Sequence, residues 1–188
     1  MEETNMKRCL ALFTVLLLAL PMACPAEKAG GQVFETQYFT MQLPEDWTID
    51  TRELEKEEDM EMLGYLFGPE DADWVLESAI MYYKDLKDIA LWNSDEEEMQ
   101  DYIDAVLEDF KDEEPEYLKT VMAGQIPFVL IRAVDDDGPY YYADTMTNGY
   151  AIVFYAYIAR NDLDRTLEPT EEQMQQLEEI LLTFAPVT

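Results

Sequence analysis

The residues whose types and spacing come nearest to chemistry are Asp135-Asp136-Asp137-Gly138-Pro139-Tyr140-Tyr141-Tyr142-Ala143-Asp144. A calcium loop needs side-chain oxygens at alternate positions and a glycine that lets the backbone turn sharply around the ion. With Gly138 in the glycine position of such a loop, Asp135, Asp137 and Asp144 fall on ligand positions and become the candidate metal ligands. Three features argue the other way. Ala133 takes the first ligand position and offers no side-chain oxygen. Asp144 stands where a longer, bidentate glutamate normally closes the loop, and both flanks are aromatic runs of strand character where helices are needed. An Asp-Gly turn between two strands explains the same residues more simply, because glycine supplies the positive φ that hairpin turns require. The expectation is a turn with weak incidental affinity for cations, and no assigned metal or cofactor.

The tyrosines pose a similar choice. Tyr140, Tyr141 and Tyr142, with Tyr150, Tyr155 and Tyr157, either line a carbohydrate- or peptide-binding face or pack at the edge of the core with their hydroxyls reaching water. Packing is the simpler reading. The acidic runs Glu57-Glu58-Asp59 and Asp112-Glu113-Glu114 would form a metal site only if loops brought them together, and solvated loops explain them as well.

Much chemistry is excluded by what the chain lacks. Histidine is absent and, beyond Cys24, so is cysteine. Ser-His-Asp and Cys-His catalysis, histidine-bound metals, zinc–thiolate sites and a disulfide framework are therefore ruled out for the folded part. Ser78 and Ser94 are the only serines; Ser94 is expected in a helix cap, and Ser78 has no evident base. Two carboxylates suffice for glycoside hydrolysis, yet among 42 Asp and Glu residues no pair stands out. No catalytic residue is assigned. A carboxylate-based hydrolase and a low-affinity calcium-dependent module using the acidic loops remain as alternatives to a non-catalytic binding protein.

The net charge of −30 sets the kind of partner. Such a surface repels nucleic-acid phosphates and anionic headgroups, so nucleic acid is excluded and cations or basic surfaces are favoured. The beginning of the chain sets the compartment. Lys7 and Arg8 precede the apolar run Cys9 to Leu20, which small residues and Pro21, Cys24 and Pro25 follow up to Ala26. That pattern predicts a secretory signal peptide over residues 1–26. Its apolar run is shorter than the ~20 residues a membrane-spanning helix requires. Cleavage after Ala26 would release a soluble chain. Alternatively, Ala23-Cys24 resembles the end of a bacterial lipobox and would make Cys24 the site of a lipid anchor, although Pro21 stands where that motif usually has leucine. The expected location is extracytoplasmic, secreted or lipid-anchored, with no integral span and an unknown protein or cell-envelope component as partner.

These residues must be positioned by the remaining about 160, enough for one domain with a real core. Residues 27–32 read as a short linker and 33–188 as a single α+β domain. Phe39, Met41 and Leu43 alternate with polar neighbours, as a half-buried strand requires. Pro44-Glu45-Asp46 turns the chain back, and Trp47 is expected to pack over that strand. The charge run 53–61 reads as a solvated loop or short exposed helix. Leu63 to Phe67 and Trp74 to Tyr83 form a hairpin around Gly68-Pro69-Glu70-Asp71. Ser94 and Glu97 make a capping box ahead of the stripe Met99, Tyr102, Ile103, Val106, Leu107 and Phe110, a helix with one apolar face. Four strands follow, at 117–122, 128–134, 140–146 and 150–159, with Asn148-Gly149 closing the last hairpin. Phe128 to Ile131 and Ala151 to Phe154 are apolar at consecutive positions and predict central strands covered on both sides. Thr170 and Gln173 cap a final helix whose stripe is Met174, Leu177, Ile180, Leu181 and Phe184. Strands, helix, strands and helix joined by hairpins imply an antiparallel sheet with helices packed on it.

The stretch Tyr38-Phe39-Thr40-Met41-Gln42-Leu43-Pro44-Glu45-Asp46-Trp47 resembles the opening of PsbP-like and DcrB-like domains, which run aromatic, apolar, proline, tryptophan. Glu178 to Phe184 is similar to their terminal helix, with Thr183 where a serine is usual. Spanning 33–184, the resemblance implies an α/β/α sandwich of exported accessory proteins or lipoproteins. It transfers no catalytic residue. The function it implies is a non-catalytic accessory or binding module of the cell envelope.

Overall fold

The computed structural model describes residues 31–53, 62–69, 73–82, 90–147, 149–159 and 167–187. Among them are ten strands and two α-helices in the order β1 (Gly31–Glu35), β2 (Phe39–Pro44), β3 (Trp47–Glu53), β4 (Met62–Pro69), β5 (Trp74–Tyr82), α1 (Glu96–Asp109), β6 (Glu116–Ala123), β7 (Ile126–Asp135), β8 (Gly138–Thr147), β9 (Tyr150–Ile158), α2 (Glu171–Leu182) and β10 (Ala185–Pro186). Seven strands form one antiparallel sheet in the order β3-β4-β5-β9-β8-β7-β6, and β1-β2-β10 form a small second sheet. The fold is α+β, an antiparallel sheet with helices packed on it.

Alternation along the strands assigns the two faces of the large sheet. Leu76, Ile80, Phe128, Leu130, Ile152 and Phe154 point to one side, where they join Phe39, Met41 and Leu43 of β2 and Leu177, Ile180 and Leu181 of α2 in the largest core cluster. Val129, Ile131, Ala133, Tyr142 and Val153 point to the other side, against Ile103 and Val106 of α1. Three layers result: α1, the seven-stranded sheet, then the small sheet with α2. Full burial of each large apolar side chain contributes roughly 1.5–3 kcal/mol, so the first cluster dominates the stability.

The residues that carried the family resemblance are packing residues. Phe184 lies 5.0 Å from both the Phe39 and Phe128 rings, edge-on to the latter. Thr183 Oγ1 accepts the Gln42 amide at 2.8 Å and donates to the Ile180 carbonyl at 2.7 Å, tying the end of α2 to β2. The threonine keeps a hydroxyl where serine is usual, and the hydroxyl does the tying.

Several boundaries differ from the sequence reading. The box of α1 sits one residue later than Ser94 and Glu97: Asp95 is the N-cap, accepting the Glu97 and Glu98 amides, and Glu98 accepts the Asp95 amide in return. A carboxylate beside the positive helix end wins over the neighbouring serine hydroxyl. The Thr170–Gln173 box of α2 forms as expected. Trp47 does not merely fold back; it begins β3, which pairs with β4 from Trp47↔Pro69 to Glu53↔Leu63. Its alternation of polar residues on an edge strand hid it among the charges that follow. The strand β1 begins at Gly31, inside the stretch read as a linker, and pairs Gly31 with Pro44. Gly68 and Pro69 belong to β4. A Cβ on Gly68 would lie 2.7 Å from the Trp74 carbonyl oxygen, so only glycine fits there. The signal peptide, Cys24, the run Glu57-Glu58-Asp59, Glu70 and Asp71, and Asn148 lie outside the described residues.

Candidate functional site

The three carboxylates singled out as metal ligands do not come together. Asp135 ends β7, and its Oδ1 accepts the amides of Asp137 and Gly138 at 2.8 and 2.9 Å, closing the hairpin to β8 at the pair Asp135↔Gly138. Gly138 has φ 127°, the conformation that excludes most side chains. Asp144 lies far along β8, opposite Val129, about 20 Å away at the rise of an extended strand. Among the described residues no three acidic side chains converge closely enough to hold a metal ion. The stretch is a hairpin turn in which the Asp135 carboxylate caps the turn's own backbone.

What the hairpin does build is one end of a cleft of about 510 Å³. Tyr155 and Tyr157 project from β9 on the α1 side of the sheet, and Glu77 on β5 stands opposite Tyr155. Tyr140 comes from β8, and Asp135, Gly138 and Pro139 form the hairpin wall. Phe110, the C-cap of α1, and Glu113, in the 3-10 turn Lys111–Glu113 that follows, complete it. The site exists because α1 stops at Phe110, leaving uncovered the end of the sheet where the β7–β8 hairpin closes.

Its rings are tilted rather than stacked. Tyr140 and Tyr155 have centroids 5.9 Å apart at 43°, and Phe110 and Tyr140 are 6.3 Å apart at 60°. Its carboxylates are linked to its phenols: Tyr140 donates to Glu113, and Tyr157 donates to Glu77 at 3.2 Å. Burial, then the bond to Glu113, push the Tyr140 phenol well above its ordinary range, so it stays protonated and can only donate to that carboxylate. Among the described residues no lysine or arginine lines the cleft.

Deeper, between α1 and the sheet, lies the one carboxyl of the described residues that is buried, Asp144, at 6 % exposure. Tyr102 of α1 donates to its Oδ2 at 2.6 Å. Oδ1 has no partner in hydrogen-bond geometry. Burial raises the carboxyl from 3.8 to about 6, held back by Tyr102 and by the nearby Tyr142 phenol and Thr145 amide, with Asp109 pushing the same way as burial. Burial, then Asp144, in turn keep Tyr142 protonated. The group joins helix to sheet.

The tyrosines divide by the parity of their strands. Tyr140, Tyr155 and Tyr157 line the cleft, Tyr142 packs under Phe110 at 4.7 Å, and Tyr141 is on the opposite face beside Glu168. Tyr150, also on the opposite face, lies 4.8 Å from both Tyr38 and Tyr82 and lines a smaller concavity of about 370 Å³ whose described lining carries no charged residue. Sequence reading named the tyrosines and Glu113 but not Glu77 or the role of Phe110. Glu77 did leave a signal: it is the one charged residue inside the strand Trp74-Val75-Leu76-Glu77-Ser78-Ala79-Ile80.

The architecture is thus a layered α+β sandwich with an acidic, tyrosine-lined cleft beside the end of its first helix. No family model matches the sequence, and no curated protein matches it. Among solved structures, a protein of Bacteroides thetaiotaomicron is similar at TM-score 0.48 and 15% identity over 85% of this chain, which spans half of that longer one. The solution structure of cyanobacterial PsbP (CyanoP) from Synechocystis is similar at TM-score 0.46 and 11% identity, over 88% of this chain and 98% of that one. A PsbP structure is therefore among the neighbours of this fold.

Proposed function

We propose that this protein is an exported, non-catalytic accessory or binding module of the cell envelope, and that the cleft between α1 and the β7–β8 hairpin is its recognition site. The observation that carries the reading is the cleft itself. It gathers the aromatic rings Phe110, Tyr140, Tyr155 and Tyr157 with the carboxylates Glu77, Glu113 and Asp135 in one concavity, and its size falls within the usual range of ligand sites. Recognition fits it better than turnover. Glu77 and Glu113 already accept phenols and Asp135 already caps a turn, whereas the desolvated carboxyl that acid–base hydrolysis needs is Asp144, sealed under α1. Export rests on Lys7, Arg8 and the run Cys9 to Leu20. No helix among the described residues is long and apolar enough to cross a membrane.

The test is site-directed photocrosslinking in producing cells, with the crosslinking amino acid at Tyr157 in the cleft or at Glu171 on the far layer. The reading expects extracytoplasmic protein and an adduct from position 157 alone. Equal adducts from both positions, or protein retained in the cytoplasm, would contradict it.

A further inference from the structure

We propose that the cleft receives a basic polypeptide segment, seating a lysine or arginine head group against Tyr140, Tyr155 and Tyr157 between Glu77 and Glu113. This rests on the cleft being the recognition site and names the chemistry it recognises. A cation over aromatic faces gains from their negative quadrupole, by more when it is partly desolvated. Here three tyrosines from adjacent strands share one concavity with carboxylates on both sides of it.

Among the described side chains, no cation pairs with Glu77, Glu113 or Asp135. Lys111, Lys119 and Arg132 pair elsewhere, with Glu108, Glu178 and Glu168. The Tyr140 phenol engages one oxygen of Glu113 and the Tyr157 phenol one of Glu77, leaving lone pairs to accept from an ammonium or guanidinium group. The phenols fix those carboxylates in place, so a cationic guest meets oriented acceptors rather than mobile chains.

Three observations select the occupant. A bare metal ion is disfavoured, because no three acidic groups among the described residues converge on one point. An anionic or neutral partner would leave the carboxylates unmatched, and like charge across an interface is strongly repelled. A single small amine would fill little of about 510 Å³. It would also draw less than a chain bearing several positive charges from the field of a −30 protein.

The experiment titrates the purified chain with a labelled Lys-Ala-Lys-Ala-Lys peptide at low and near-physiological salt. Competitors are spermidine, tetramethylammonium, calcium and a Glu-Ala-Glu-Ala-Glu peptide. In the Glu77→Gln, Glu113→Gln variant the amide oxygens still accept the tyrosine hydroxyls, so the fold is retained, and affinity should fall about tenfold or more. Tyr155→Leu should weaken binding several-fold with every charge kept. Glu171→Gln, Glu172→Gln removes the same charge from the far layer and should change affinity less than about twofold. Equal losses in the two double variants would overturn the proposal in favour of a general polyanion surface. Competition by calcium, or by tetramethylammonium or spermidine as strong as by the lysine peptide, would overturn it in favour of a metal or small-amine site. If the peptide fails while position 157 still crosslinks selectively, the basic segment falls and the recognition cleft stands; if both fail, both fall.

Discussion

The two faces of the seven-stranded sheet follow different rules. The face toward β2 and α2 is filled by Phe39, Leu76, Phe128, Leu130, Ile152, Phe154 and Leu177, all with essentially no exposure. The face toward α1 mixes aliphatic contacts with Tyr102, Tyr140, Tyr142, Tyr155 and Tyr157, buries the carboxyl of Asp144, and opens at one end into a cleft holding three further carboxylates. One side holds the molecule together. The other spends some of that stability on oriented polar groups, which is the usual condition of a surface that recognises something.

Perturbations of each face should therefore differ in kind. The largest effect belongs to the apolar face. Phe154→Ala empties a site walled by Phe39 and Phe128 and should lower the unfolding free energy by about 3–5 kcal/mol in urea titration. A loss no greater than that of an exposed alanine substitution would break the comparison.

On the helix-covered face the main signature is pH. The unfolded chain releases the Asp144 proton near 3.8 and the folded chain near 6, so between those values the folded state holds more protons. This contribution to stability is complete below pH ~4 and is lost as pH rises through 6, whatever the exposed carboxylates do in the opposite sense. Replacing Asp144 by Asn removes it. The stability of the variant relative to the parent should rise by about 3 kcal/mol between pH 4 and 8, at ~1.4 kcal/mol per tenfold change in proton binding. Denaturant titrations of the pair across that range check it, and a pH-independent difference would remove Asp144 as a buried acid.

Smaller effects sharpen the contrast. Thr183→Val deletes the acceptor of the Gln42 amide and should cost about 1 kcal/mol by thermal melt. Lys111→Ala breaks only the exposed pair with Glu108 and should change stability by less than about 0.5 kcal/mol.

How far these features were legible in the sequence follows the same division. The core on both faces could be read because period and burial coincide: the alternation Phe39, Met41, Leu43, the double-sided runs in β7 and β9, and the stripes of both helices all fall where side chains pack. The strand β3 was hidden because an edge strand with Thr48, Asp50 and Arg52 carries little apolar signal. The cleft could be read only in pieces. Tyr140, Tyr155 and Tyr157 stood out by type, but Glu77 joins them from β5 through the pairing with β9, and Phe110 and Glu113 through where α1 ends. Spacing along the chain does not encode such meetings. Asp144 was picked for the wrong partners: its distance in sequence from Gly138 suggested a loop ligand, whereas strand parity sends it under α1 to Tyr102.

The central claim is that the polar end of the α1 face is where this protein recognises a basic partner. The most direct measurement is an amide and tyrosine-ring NMR titration of the isotopically labelled chain with the lysine peptide. Shifts confined to Glu77, Phe110, Glu113, 135–140, Tyr155 and Tyr157 would bear the claim out. Shifts spread evenly over exposed acidic residues such as Glu171, or centred on Tyr38 and Tyr150 in the smaller concavity, would contradict it.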